Sequence, residues 1–423
     1  MSKDLNVVLL VGGYYPNFSA VGNCVREIAN CFVSRGVNVY VVSTSPDGKE
    51  TTEDFDGQHI YRVTSKRNID IIKADEADRS KITGKMTYLT VKSYWAMRKL
   101  LARSGMDEGL ARSYQRKLEE LKEQGTRIDA VFSFILPVEG LKGGSLFCRK
   151  YGIPFFPVLY DRYSESRDYF RFTWAHKLKR SHAEKFEKDV FDHAAKIYYI
   201  DNWGPYFAKH QRENILRVEH PLVVKKPAVT PEPLTSPAVI NAIYQGEINH
   251  QMRPPQAMLT VFGTIADRDP DVSLHVFASG NAVEDVRRAA SEHPESIRFY
   301  GRVSKELADR YYATADITII LANKNREIVS SKIFESVASG YPILYFYFSE
   351  DELSYGLLKK YPLVLFVRQD KIDENECEKI RDWMYENRGK RVDFDLVREA
   401  YDDATPDMVV DTSIELLNGS EDN

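Results

Sequence analysis

Residues 327–342, EIVSSKIFESVASGYP, gather side chains that could handle a phosphorylated ligand. Glu327 and Glu335 stand with seven residues between them. Ser330 can cap a helix whose first turn holds Ser331 and Lys332, and Gly340 with Pro342 behind it ends that helix. A helix N-terminus offers free N–H groups and partial positive charge, which suits a phosphate. Lys332 adds a full charge at the same place. Glu335, one turn deeper, can accept two hydroxyl hydrogen bonds, as a ribose offers. Two glutamates at this distance say little alone. Joined to the capped helix, the lysine and the preceding ADITIIL strand, they point to phosphate and sugar recognition.

Two other patterns carry less. Asp267–Arg268–Asp269 has the spacing of an Asp-x-Asp metal motif but sits in a polar turn before Pro270, so we read it as solvated and expect no metal. Cys24, Cys31, Cys148 and Cys377 form no CxxC pair and no Cys/His cluster with zinc spacing. Cys24 and Cys31 share one predicted helix face, and all four read as reduced core thiols of a cytoplasmic protein.

The elements that must position these residues alternate strand and helix. Leu5–Val11 reads as a buried strand. A loop with Gly12, Gly13, Pro16 and Asn17 follows, then a helix from Val21 to Phe32 with Ser19 as its cap and Gly36 beyond its end. Val37–Val42 is the next strand. Residues 81–124 read as long, helical and basic. Strands are expected at Ile128–Phe134, Phe155–Tyr160, Lys196–Ile200 and Leu216–Glu219, with helices at Leu141–Tyr151 and 181–195. Lys225–Pro237, KKPAVTPEPLTSP, has four prolines and no periodicity, which suggests a linker. Beyond it come strands at Ala238–Tyr244, Ser273–Ala278, Ile297–Tyr300, Ile317–Leu321 and Ile343–Phe346. Helices lie between them at Pro255–Ile265, Ser304–Ala313 and Ser331–Ala338. A chain of 423 residues exceeds one ordinary core. We expect two α/β domains facing a cleft: 1–222, a linker at 223–237, 238–400, and a C-terminal helix in 401–423 that can cross back to the first domain.

Bulk properties exclude several classes. The chain is 43% apolar and 28% charged with a net charge of -4, and its pI is about 6.2. That is a folded protein with no sign of nucleic-acid binding. Val7–Val11 is too short for a secretion-signal core, and Tyr341–Phe348 is far below the ~20 residues of a membrane span. Two stretches are basic and aromatic. Residues 81–122 contain Lys81, Lys85, Lys92, Arg98, Lys99, Arg103, Arg112, Arg116 and Lys117 with Tyr88, Tyr94 and Trp95. Residues 167–188 contain Arg167, Arg171, Lys177, Lys179 and Arg180 with Tyr169, Phe170, Phe172 and Trp174. Each is either a solvated helix face or a peripheral contact with the inner face of a membrane.

The tract YGRVSKELADRYYATADITIIL…SSKIFESVASGYPIL resembles the donor-binding half of glycosyltransferase family 4, which reads Gly-x-Val, helix, "aDi" strand, then K-x-F-E-x-x-A-x-G-x-P. YYPNFSAVGNCVREIANCFVSRGVNVYVVST resembles the family's opening. The resemblance covers most of 5–60 and 128–350 and implies the GT-B architecture, two Rossmann-like domains. It implies that Glu335 binds the donor ribose, that Glu327 lies near the donor sugar, and that Lys332 and Ser331 meet the diphosphate. In YQGEINHQMRPP, Arg253 resembles the basic partner of that lysine, without the usual lysine–glycine pair. Gly301, Arg302 and Val303 resemble the loop whose backbone meets the base, although a tight turn explains Gly301 as well. Gly13 and Gly22 belong to the N-domain loop near the diphosphate, and Gly22 also fits simple helix packing. Where many members carry a histidine after the 155–160 strand, this chain has Tyr160–Asp161–Arg162, which makes Asp161 the candidate for a sugar or acceptor contact.

The resemblance implies a retaining transferase that needs no cofactor and no metal. A nucleotide-diphosphate sugar, with UDP the expected base, would donate to a glycan or polyprenyl-linked acceptor in cell-surface polysaccharide or glycoconjugate assembly. A sugar-nucleotide epimerase and a non-catalytic partner subunit share the architecture and are the alternatives.

Overall fold

An unbroken apolar run must be covered on both faces, and Asn6–Val11 (β1) accordingly lies inside a sheet with every residue from Val7 onward buried. The computed structural model describes residues 5–102, 104–165, 173–235 and 239–419, with side chains outside 173–178. The chain divides into two units, Met1–Pro221 with Asp403–Asn423, and Leu222–Asp402.

In the first unit the loop after β1 leads into Ala20–Ser34 (α1), whose first turn is capped by Ser19 accepting the Gly22 N–H at 2.9 Å. Asn38–Thr44 (β2) follows. Thr52–Phe55 (β3) and Gln58–Val63 (β4) form an antiparallel hairpin that the sequence reading missed. Its turn is Asp56–Gly57, both with positive φ, which suits the right-handed twist of the strands. The long basic stretch is not one helix. Lys66–Glu76 (α2) precedes it, and Ile82–Leu101 (α3) and Glu108–Glu123 (α4) make it up. The break before α4 comes from Gly105 at φ 68° and from Asp107, which caps α4 through the Gly109 and Leu110 N–H groups. Ala130–Phe134 (β5), Val138–Tyr151 (α5), Phe155–Leu159 (β6), Thr173–Asp192 (α6), Ile197–Tyr199 (β7), Gly204–Lys209 (α7) and Ile215–Arg217 (β8) complete an eight-stranded sheet, order β3-β4-β2-β1-β5-β6-β7-β8. Of the second basic-aromatic stretch, Arg167, Tyr169, Phe170, Arg171 and Phe172 lie outside the described residues, as does Arg103 of the first. The side chains of Trp174 and Lys177 lie outside them too.

The second unit begins with residues 222–235, which hold no helix or strand. It then runs through Ile240–Glu247 (β9), Gln256–Ala266 (α8), Val272–Ser279 (β10), Val283–Glu292 (α9), Ile297–Phe299 (β11), Lys305–Tyr312 (α10), Ile317–Leu321 (β12), Lys332–Ala338 (α11), Ile343–Tyr347 (β13), Leu353–Leu358 (α12), Val364–Arg368 (β14), Glu374–Asn387 (α13) and Phe394–Ala400 (α14). All neighbours in the sheet are parallel, in the order β11-β10-β9-β12-β13-β14. The chain builds outward from β9 in one direction and then returns to start again beside it with β12. That junction is the topological switch point, where open α/β sheets leave a crevice beyond the strand ends. Asp316 fixes the start of β12 there by accepting the Asn241 N–H at 2.9 Å. The last helix, Pro406–Gly419 (α15), belongs to the first unit and packs on α1, with Arg35 reaching Asp407 at 2.6 Å and Asp411 at 3.0 Å.

Gly22 owes its identity to close packing within this first unit. A Cβ there would lie 2.1 Å from the Gly13 carbonyl oxygen, closer than any real contact allows. Gly22→Ala should therefore destabilise the protein by about 1–3 kcal/mol in denaturant unfolding. Helix propensity alone would make alanine better by about 1 kcal/mol, so a stabilised variant would sink the packing account.

Candidate functional site

The switch point is where the charged side chains gather. After β9 the chain turns tightly. Asn249 and Arg253 exchange both backbone hydrogen bonds, at 3.1 and 3.0 Å, and the Asn249 side chain accepts the Met252 N–H at 2.6 Å. This turn aims Arg253 at the end of β12, where its Nε donates to the buried Asn323 Oδ1 at 3.1 Å. After β12 an exposed loop containing Glu327 leads to α11.

The cap of α11 differs from the expectation. The residue at the N-cap position is Ser331, not Ser330; its backbone is already helical and its side chain caps nothing. Ser330 contributes its carbonyl, which accepts the Ile333 N–H at 3.0 Å. A side-chain cap requires an extended backbone at that residue, and Ser331 does not supply one. The other end is as read: Gly340 takes φ 74°, and a Cβ there would meet the Val392 carbonyl oxygen at 2.6 Å.

Lys332 begins α11 and its Nζ lies 2.8 Å from Glu335 Oε2. A second lysine, Lys226, comes within 3.7 Å of the same oxygen. Lys226, Arg253, Lys332 and Glu335 line one pocket, together with Asp309 and the carboxyl end of β9. Three cations there face two carboxylates, and Asp309 is already paired with Lys305 at 3.3 Å. The surplus is positive. Among the described residues no hydrogen bond reaches Glu335 Oε1. Burial pushes the Glu335 carboxyl up, but the charges of Lys332 and Lys226 outweigh it and hold it down at about 2. Desolvation lowers Lys332, and the Glu335 charge more than offsets this, so its pKa is raised.

Lys226 was missed by the sequence reading. It stands in the proline-rich segment 225–237, and a lone side chain reaching out of irregular backbone leaves no periodic signal. The paired lysines at 225 and 226 before a proline were the one available hint.

The remaining candidates are elsewhere. Glu327 is exposed and does not line the pocket, and neither does Ser331. Gly301, Arg302 and Val303 follow β11; Arg302 is exposed and Val303 packs against the buried cluster of Ile243, Phe277 and Ala315. Gly301 has φ 70° and open space around its missing Cβ, so backbone conformation alone accounts for the glycine. Gly13, Gly22 and Asp161 belong to the first unit. Gly13 accepts the Ser19 hydroxyl at 3.0 Å, and Asp161 is exposed just past β6, beside Arg162, which pairs with Glu165 at 2.5 Å. Asp267–Arg268–Asp269 is a surface turn tied to α13: Arg268 pairs with Glu374 at 2.8 Å and Glu378 at 3.1 Å, and Asp269 accepts the Tyr385 hydroxyl. Among the described residues no group of three or more His, Cys, Asp or Glu could hold a metal ion.

No protein-family model matches the chain. No curated protein matches it either. Solved structures do. The catalytic domain of starch synthase IV from Arabidopsis thaliana, bound to ADP and acarbose, is similar over 100% of both chains at 9% identity, TM-score 0.59. α,α-Trehalose 6-phosphate synthase from Burkholderia multivorans is similar over 99% of each chain at 11% identity, TM-score 0.55. The fold is GT-B. A third GT-B structure, the glycosyltransferase SnogD from Streptomyces nogalater, is similar over 98% of this chain and 100% of its own at 12% identity, TM-score 0.51. Identities this low carry the GT-B architecture and nothing about substrate.

The depressed Glu335 pKa gives a pH signature. A carboxyl whose folded value lies below its ordinary 4.5 adds stability above pH 4.5, and that stability is lost as pH falls through about 2. Glu335→Gln should thus be less stable than the parent at pH 7, with the gap closing between pH 4.5 and 2 in denaturant titrations. A gap that stays constant over that range would mean the carboxylate is not held by Lys332 and Lys226.

Proposed function

We propose that this chain is a retaining glycosyltransferase that moves a sugar from a nucleotide-diphosphate donor to a hydroxyl of a glycan or lipid-linked acceptor, without a metal ion. The observation that carries the reading is the positive surplus of Lys226, Arg253 and Lys332 at the β9–β12 switch point, with Glu335 beside it. GT-B neighbours that are glycosyltransferases, one of them holding ADP, support the same reading.

In this scheme the diphosphate takes up the cation surplus, and a ribose hydroxyl takes the open Oε1 of Glu335. As the glycosidic bond breaks, negative charge grows on the departing diphosphate. Lys332 and Arg253 are preorganised to meet it, the task a divalent metal performs elsewhere. The acceptor hydroxyl forms the new bond on the face the leaving group vacates and gives its proton to the departing phosphate, so no protein base is required. We assign Glu327 to the donor sugar, Ser331 to the diphosphate, Gly301–Arg302–Val303 to the base and Asp161 to the acceptor. UDP is the base to test first, and polysaccharide or glycoconjugate assembly at the cytoplasmic side of a membrane is the setting in which such an acceptor occurs.

Incubation with UDP-, GDP- and dTDP-sugars should release free nucleotide slowly from one of them. Epimerised sugar would identify an isomerase instead, and absence of binding to all three a non-catalytic subunit. The turnover should persist in excess EDTA; activity abolished by EDTA and restored by Mg²⁺ or Mn²⁺ would overturn the metal-free mechanism.

Lys332 should matter more to the reaction than to binding, because its contribution grows toward the transition state. Lys332→Ala should lower kcat/KM by roughly 10²-fold, mostly in kcat. Near-normal kcat/KM in a folded variant would remove Lys332 from the mechanism.

A further inference from the structure

The second observation that asks for a partner is α3. None of its 20 residues is buried, although its sequence ITGKMTYLTVKSYWAMRKLL is rich in large apolar side chains. Its half-buried side carries Tyr88, Val91 and Trp95, and Trp95 Nε1 donates to Asp70 of α2 at 3.2 Å. The opposite side presents Ile82, Met86, Leu89, Met97 and Leu101 to solvent; Ile82 and Leu101 are each 77% exposed. At 100° per residue these five fall on one stripe, and at 1.5 Å per residue the helix is about 30 Å long. Six of the exposed large apolar side chains of the described chain are on this single helix, counting Tyr94 at its margin.

Charge selects among the possible occupants. Between Ile82 and Leu101 there is no aspartate or glutamate, while Lys85, Lys92, Arg98 and Lys99 are present. Lys85, Lys92 and Lys99, spaced by seven, run along one edge of the apolar stripe. Lys92 is partly matched by Asp75 at 2.9 Å, whereas Lys85 has no ion pair among the described residues. A second copy meeting this face would bring the same row of cations against itself. A protein partner is usually gripped by aromatic anchors, and here the tryptophan is turned inward toward α2. An exposed stripe of Leu, Ile and Met, edged by lysines, matches a helix lying in the plane of a membrane surface. No helix of the described chain is long and apolar enough to cross one.

We propose that α3 docks on an anionic lipid surface, its apolar stripe entering the headgroup boundary and its lysine edge contacting lipid phosphates. This surface does not depend on the donor pocket, which belongs to the other unit, so each can fail alone. The test is co-sedimentation of the full chain with vesicles of phosphatidylcholine, with and without about 30% phosphatidylglycerol. Binding to the anionic vesicles should exceed that to the neutral ones roughly tenfold and weaken at high salt. Met86→Glu with Met97→Glu should abolish it while leaving the melting temperature and nucleotide binding unchanged, because both side chains are already exposed. Three results would overturn the proposal. One is no binding to anionic vesicles. Another is equal binding by the double variant. The third is a dimer in sedimentation velocity that the same substitutions dissolve, which would place a second copy on this face.

Discussion

A lysine in the first turn of a helix sits where unpaired backbone N–H groups already concentrate positive charge, and an anion must be near for that placement to be favourable. In this chain the anion is Glu335, one turn on from Lys332 and 2.8 Å from it. The arrangement requires α11 to be held rigidly, and the fold supplies this from several sides. Ile333, Phe334 and Val337 bury the inner face of the helix, and Gly340 turns left-handed against the Val392 carbonyl at its end. Arg253 comes from a different strand end and is held at the same place by Asn323. The Asp316–Asn241 link keeps β9 and β12 in register, so the two strand ends that carry these residues stay side by side. Shifting any one of these would move a charge relative to the others, which in a partly desolvated pocket is costly.

How much of this the sequence discloses depends on the physics of each element. Parallel strands covered on both faces leave unbroken apolar runs, so β1, β5, β12 and β13 are legible almost to the residue. The β3–β4 hairpin is not, because its edge strand reads TEDF and half-exposed polar strands lack that signal. Helix α9 is ten residues long, and the four small apolar residues that anchor it, Val283, Val286, Ala289 and Ala290, leave a weaker mark in the sequence than a run of large ones. At the site, Arg253, Lys332 and Glu335 could be picked out from residue type and family-like spacing. The cap could not, since choosing between Ser330 and Ser331 turns on backbone angles that composition does not encode. Lys226 is illegible for a third reason: its role comes from reach across space, from a segment with no regular structure at all.

The net charge of -4 also conceals more than it states. Two local positive regions exist within it, the cation surplus at the switch point and the acid-free run of α3. The first is concave, partly shielded and carries its own carboxylate. The second is exposed and bordered by apolar side chains. Average composition excludes a nucleic-acid-binding surface of the usual kind, yet it is silent on these two because each is compensated by acidic residues elsewhere in the chain.

The position of α15 has a consequence for how the molecule is made. Its partner α1 lies near the start of the chain, and all of Leu222–Asp402 is interposed between them. The second unit is therefore an insertion whose residues are contiguous, while the first is assembled from two separated pieces. During vectorial synthesis the inserted unit emerges whole and can close on itself. The first unit must wait with the α1 surface around Cys31 and Arg35 uncovered until α15 leaves the ribosome. Order of emergence and order of completion are thus reversed for the two halves.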